Sequence, residues 1–98
     1  MNSNQSILNI VKQTIDLQSD SIKNLNKYLN VDFVDCVQLI LKSKGRVIVS
    51  GIGKSAIIAQ KIVATFNSTG TPSIFMHAAD AIHGDLGLIQ KDDVVICI

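Results

Sequence analysis

Tryptophan is absent from this 98-residue chain, and its aromatics amount to one tyrosine and three phenylalanines. So few planar side chains leave no platform on which nucleic-acid bases stack. An excess of one charge is missing too: nine basic and eight acidic residues give a net charge of +1. No basic run of five or more occurs. Nucleic acid and anionic membrane are thereby disfavoured as main partners. No apolar stretch reaches the ~18 residues of a membrane-spanning helix. Residues 1–6 lack the basic start and apolar core of a secretory signal. The two cysteines, Cys36 and Cys97, show no metal-ligand spacing. They read as buried free thiols suited to a reducing cytoplasm. Repeats, linkers and low-complexity segments are also missing. What remains is 47% hydrophobic, one soluble globular unit or part of one.

The apolar pattern divides that unit. From residue 6 to 29 apolar residues recur at helical spacing, with Lys23 and Lys27 on a polar face, as one long helix or two short ones. Asp32 can cap a second helix through Lys42, with a core stripe of Val34, Val37 and Leu41 beside Phe33 and Ile40, and Gly45 as its stop. Strands are expected at 47–50, 73–76 and 94–98. A helix over 55–67 should pack through Ile58, Ile62 and Phe66, and a short helical turn fits 78–83. The run 94–98 shows no alternation and reads as a parallel strand buried on both faces. Strand, helix, strand, short helix, strand is the start of a three-layer α/β/α doubly wound parallel sheet. The order is expected to be flavodoxin-like, the first strand lying between the other two. Residues 1–43 form a helical lead-in and 44–98 the first three strands with their crossovers, the front part of a longer domain.

The chemistry concentrates after the first strand, at Gly51-Ile-Gly-Lys-Ser55. Glycines let backbone come close to a ligand, and the helix that follows aims free N–H groups and its positive dipole end at it. Lys54 adds a full charge and Ser55 a hydroxyl, so phosphate or carboxylate is the natural guest. A nucleotide P-loop needs a glycine five positions before its Gly-Lys-Ser, where this chain has Ile48. The dinucleotide fingerprint is met formally by Gly51, Gly53 and Ala56, but no acid stands at the end of the second strand to hold a ribose. An ordinary tight strand–helix turn is the plainer alternative, weakened by the lysine and serine.

A second cluster, 77–87, holds both histidines, His77 and His83, with Asp80 and Asp85. Histidines six apart are not a helical metal pair, and an aspartate capping a turn while a histidine packs is an adequate structural account. Ligands of such sheets bind at the carboxyl ends of the strands, which places 51–55 and 77–87 on one rim.

Taken together, 47–55 (Val-Ile-Val-Ser-Gly-Ile-Gly-Lys-Ser), 68–73 (Ser-Thr-Gly-Thr-Pro-Ser) and 83–87 (His-Gly-Asp-Leu-Gly) resemble the sugar isomerase (SIS) domain of bacterial arabinose-5-phosphate isomerases. The likeness covers 44–98 well and the lead-in more loosely. The chain departs from the family pattern in having Ala56-Ile57 where Gly-His is common, and His77-Ala-Ala-Asp-Ala81 where His-Pro-x-Glu-Ala is common. The resemblance implies interconversion of D-arabinose 5-phosphate and D-ribulose 5-phosphate, supplying the octulosonate of lipopolysaccharide. It implies Lys54 as the catalytic lysine, with Ser55, Gly70, Thr71 and His83 contacting the substrate. It implies that no cofactor is required and that His77 matches a histidine associated with bound zinc in the family. It further implies a cytoplasmic homo-oligomer, dimer or tetramer, in which the serine-rich phosphate loop and catalytic carboxylates lie beyond Ile98. Residues 1–98 alone should therefore be inactive. The rival readings are a non-catalytic SIS domain that senses a phosphosugar, and a nucleotide-binding oxidoreductase domain.

Overall fold

A computed structural model describes residues 3–98, which fall into two compact units with the boundary after Asp35. The first unit holds helix α1 (Asn4–Asn24), a 3-10 turn (Leu25–Tyr28) and the start of α2 (Val31–Lys42). Ser3 caps α1, its hydroxyl accepting from the Ser6 amide at 3.2 Å. The cap of α2 is Asn30, whose side-chain oxygen accepts from the Asp32 amide at 2.9 Å. Asp32 was the expected cap. Its own N–H is one of the groups needing a partner, and its carboxylate instead sits in the first turn, where the helix dipole favours it. The expected stripe of α2 is corrected as well: Val34, Val37 and Leu41 are exposed, and Ile40 alone of the residues named joins the core. No residue of α1 is buried.

The second unit is built on strand β1 (Val47–Gly51), flanked by β2 (Ser73–His77) and β3 (Val94–Cys97). All pairings are parallel and the order is β2-β1-β3, as expected of this fold. β1 is buried along its whole length, because its β-branched Val47, Ile48 and Val49 are enclosed by a strand on each side. Helix α3 (Lys54–Ser68) packs on β1 and β2. Ala56 and fully buried Ala59 let its backbone approach, and Ile62, Val63 and Phe66 close over Val47 and Val49. Ile58 does not belong to that face; it is 55% exposed. One residue advances a helix by ~100°, so a face centred on Ala59, Ile62, Val63 and Phe66 turns Ile58 outward.

β3 corrects two expectations. Its side chains alternate, with Val94 and Ile96 half-buried and Val95 and Cys97 exposed, so it is not enclosed on both faces by the described residues. Ile96 pairs with Val49 and shares its packed face; Cys97 lies on the other. Cys97 and Cys36 are both exposed thiols, not buried ones.

One ion pair fixes where β1 and β3 begin. The Arg46 backbone amide donates to Asp93 Oδ1 at 2.8 Å and its Nη2 to Asp93 Oδ2 at 3.0 Å. The Gln90 amide adds a third bond at 2.7 Å, and the same Nη2 reaches the Leu88 carbonyl at 2.8 Å. The Asp93 side chain is 1% exposed. The guanidinium and these amides hold its carboxyl at about 2, well below the usual carboxylate range. A depressed folded-state value stabilises above the unfolded one, ~4, and that stability is lost as pH falls from there through about 2. Asp93→Asn should therefore lower the thermal midpoint at pH 7 and flatten its decline between pH 4 and pH 2.5. An unchanged decline in the variant would show that other carboxylates govern acid unfolding.

Candidate functional site

The strand register builds the site. Gly51 pairs with His77, so the first glycine of the corner and the first histidine of the second cluster stand side by side at the carboxyl ends of β1 and β2. Ile98 reaches the same end, its amide donating to the Ser50 carbonyl at 2.9 Å. Gly51 is tightly placed: a Cβ there would lie 3.0 Å from the Ser55 carbonyl, and that backbone would have to give by a few tenths of an ångström to admit it. Gly53 has φ 60 and ψ −133, a left-handed conformation that costs glycine little, and a Cβ there would meet nothing within 4 Å. The corner is thus tight on its inner side and open on its outer side.

Lys54 and Ser55 are the first two residues of α3, Lys54 exposed and Ser55 half-buried. No side chain caps this helix and no acid lies in its first turn. Among the described residues the one salt bridge joins Arg46 and Asp93, so the Lys54 ammonium is unpaired there. Free amides, a helix dipole and an unneutralised lysine combine into a positive corner with nothing of the described chain to satisfy it.

His77 ends β2 and caps the short helix α4 (Ala78–Ile82), Nδ1 accepting from the Ala79 amide at 3.1 Å. Asp80 lies in the first turn of α4, and exposed His83 follows its last residue, the His83 amide donating to the Asp80 carbonyl at 3.0 Å. A second 3-10 turn (Asp85–Leu88) completes the excursion. The expected rim is met at its start, where Gly51 and His77 stand side by side, but 77–87 does not stay there: the excursion ends beside Leu88, whose carbonyl meets Arg46 at the amino end of β1. The cap on α4 was not foreseen from sequence. Histidine directly before a short helical turn was its only signal there, and the ring's hydrogen bonding is not written in that order.

Gly70 and Thr71 are placed elsewhere. They precede Ser73, which pairs with Val47 at the amino ends of the strands. The length of β2, ~13 Å at 3.3 Å per residue, separates them from the rim. There they close α3, the Thr71 amide donating to the Phe66 carbonyl at 2.8 Å, and Asn67 brackets both backbone groups of Ser73. They also line a hollow of ≈ 250 Å³ with Ile40, Gly45 and Val47. Within one chain they stand about a strand's length from the Lys54 corner.

The zinc implied at His77 finds a poor fit. Among the described residues no three His, Cys, Asp or Glu side chains come together around a metal position. The Nδ1 lone pair of His77 is already used by Ala79, which leaves Nε2 protonated in the neutral ring.

The SIS domain family matches residues 39–98. The arabinose 5-phosphate isomerase KdsD of Pseudomonas aeruginosa is 46% identical over 98 residues, 100% of this chain and 30% of that protein. The arabinose 5-phosphate isomerase GutQ of Escherichia coli K12 is 47% identical over 94 residues, 96% of this chain and 29% of that protein. Among solved structures, E. coli CFT073 c3406 in complex with arabinose 5-phosphate superposes with a TM-score of 0.89 at 39% identity, covering 99% of this chain and 51% of that one. The chain thus spans about three tenths of the length of the curated relatives it matches. No helix among its described residues is long and apolar enough to cross a membrane.

Proposed function

The chain belongs to the SIS domain family, and from that premise we propose that the protein is an aldose–ketose isomerase interconverting D-arabinose 5-phosphate and D-ribulose 5-phosphate. The observation that carries the reading is the unpaired Lys54 at an uncapped helix start, on the same strand-end rim as His77 and the segment leading to His83. The names of relatives 46% and 47% identical support the choice of sugar.

The reaction opens the sugar ring, takes a proton from C2, passes through an enediolate and returns a proton to C1. The developing oxyanion needs a positive charge or hydrogen-bond donor, and such preorganised partners lower the barrier strongly. Lys54 suits that role. A protonated lysine in a positive corner is a poor base, so a carboxylate outside residues 1–98 is assigned the C2 proton. His83 is assigned to ring opening or to orienting a hydroxyl, and Ser55 to the substrate phosphate. The product would feed synthesis of the lipopolysaccharide octulosonate in the cytoplasm. The active form is a homo-oligomer, dimer or tetramer. Contact of Gly70 and Thr71 with the sugar phosphate is assigned to a second copy, because within one chain they stand a strand's length from the Lys54 rim.

The test is formation of ribulose 5-phosphate from arabinose 5-phosphate by the full-length protein, with the isolated 1–98 segment as the expected inactive control. Binding of pentose 5-phosphates without turnover would make the protein a phosphosugar sensor. Turnover by the segment alone would show that no base beyond residue 98 is needed.

A further inference from the structure

We propose that His77 is a positioning residue, held as its Nε2–H tautomer by capping α4, and that it is not a zinc ligand in the working protein. His77 belongs to two elements at once: it is the last residue of β2 and, with φ −65 and ψ 130, the N-cap of α4. A neutral imidazole offers one nitrogen lone pair in the ring plane and one N–H. The Ala79 amide takes the lone pair at Nδ1, 3.1 Å away, so Nε2 carries the proton and can only donate. Phe75 adds a second constraint, meeting the ring edge-on with centroids 6.2 Å apart and planes at 88°.

α4 depends on that cap. Five residues are far too few for a helix to persist on its own hydrogen bonds. The helix carries Asp80 and delivers the chain to His83, so the ring that joins β2 to α4 decides where both stand relative to the end of β2. Zinc at Nε2 would require the ring proton to move to Nδ1, where it would face the Ala79 N–H, donor against donor. Zinc at Nδ1 would displace Ala79 outright. In either case a metal-bound His77 and a capped α4 exclude each other.

Three substitutions in the full-length protein separate these roles. Asparagine places its amide oxygen near the position of Nδ1 and is among the strongest N-caps, but reaches nothing at Nε2. Glutamine reaches the Nε2 position and lacks the short arm of a good cap; alanine does neither. Hydrogen exchange of the Ala79 amide should stay near wild type in His77→Asn and quicken about five-fold in His77→Gln and His77→Ala, the scale of one lost N-cap. Nitrogen-15 spectra of the wild-type ring should show the proton on Nε2. Calorimetry with zinc chloride should find no site that the alanine substitution removes. The kinetic corollary rests on the isomerase reading: kcat/KM for arabinose 5-phosphate should remain within ~3-fold in His77→Asn and fall ~10-fold in the other two, as expected of a misplaced neighbour. Exchange, spectra and calorimetry need no turnover, so they test His77 even in a protein that proves to be a sensor. A proton on Nδ1, a zinc site lost in all three variants, or better protection of Ala79 with glutamine than with asparagine would each overturn the proposal.

Discussion

Lys54→Met in the full-length protein should lower turnover of arabinose 5-phosphate by ~100-fold or more, the scale of losing a partner to a developing oxyanion. Methionine keeps most of the length and bulk of lysine and removes its charge together with its N–H donors. α3 should be undisturbed, because Lys54 is exposed and makes no salt bridge among the described residues. Affinity for the sugar phosphate should weaken much less. The Ser55 hydroxyl and the free amides of the α3 start remain, and the phosphate loop expected beyond residue 98 is untouched. The split is measured as kcat against KM in steady state, with direct binding by calorimetry as the check. Weakened binding at unchanged kcat would instead make Lys54 a clamp for the ground-state phosphate. His83→Asn is the companion experiment: retained activity would leave His83 as an orienting group, whereas loss comparable to Lys54→Met would place it in proton transfer.

The fold was readable because β1 and α3 obey different periods. Val47, Ile48 and Val49 form an unbroken apolar run, and two glycines separate it from a helix whose apolar residues recur every three to four positions. Helix phase was less readable. Ile58 and Ala59 both fit an apolar stripe, and size favours isoleucine as the core residue. Close approach of α3 to the sheet favours alanine instead, and only the packed structure decides between them. β3 is less buried than its unbroken apolar run implies for a related reason: an apolar strand records what it can be packed against, not what these residues alone provide.

The site divides in the same way. Strand ends are visible in sequence, so Lys54, Ser55 and His77 could be put on one rim. Gly70 and Thr71 could have been placed by one further step, since a turn immediately before a parallel strand lies at its amino end, away from the ligand rim. The Arg46–Asp93 pair was within reach too. Both residues directly precede strands that turn out to pair in register, Val47 opposite Val94. The tautomer of His77 was not within reach, because it depends on a hydrogen bond two residues along the chain and on the ring's orientation.

Gly45 shows the consequence of that register, and Gly45→Ala should be the most destabilising single-methyl change at any glycine of this segment. Gly45 is not the expected stop of α2: that helix already ends at Lys42, and Gly45 is not among the glycines with positive φ. The requirement is space. A Cβ on Gly45 would lie 2.5 Å from the Asp92 carbonyl carbon and 2.8 Å from the Asp93 amide nitrogen, with the Asp92 carbonyl oxygen nearer still. These are backbone atoms, so no side chain can swing aside. Both strands are also tied at this point. Ser43 Oγ accepts from the Gly45 amide at 3.1 Å and donates to the Asp92 carbonyl at 3.0 Å, while the Val94 amide donates to the Arg46 carbonyl at 2.9 Å. The methyl group must push the starts of β1 and β3 apart and loosen the Arg46–Asp93 pair with them. We expect a loss of about 3 kcal/mol, the upper part of the range for overpacking. In the full-length protein that corresponds to a fall of roughly 4–8 °C in the unfolding midpoint. Gly87→Ala is the control, since a Cβ there meets nothing within 4 Å and its φ is not positive. Its stability should stay within ~0.5 kcal/mol of wild type. Equal midpoints for the two variants would mean that the 43–46 and 92–94 segments are not held together as closely as the register implies.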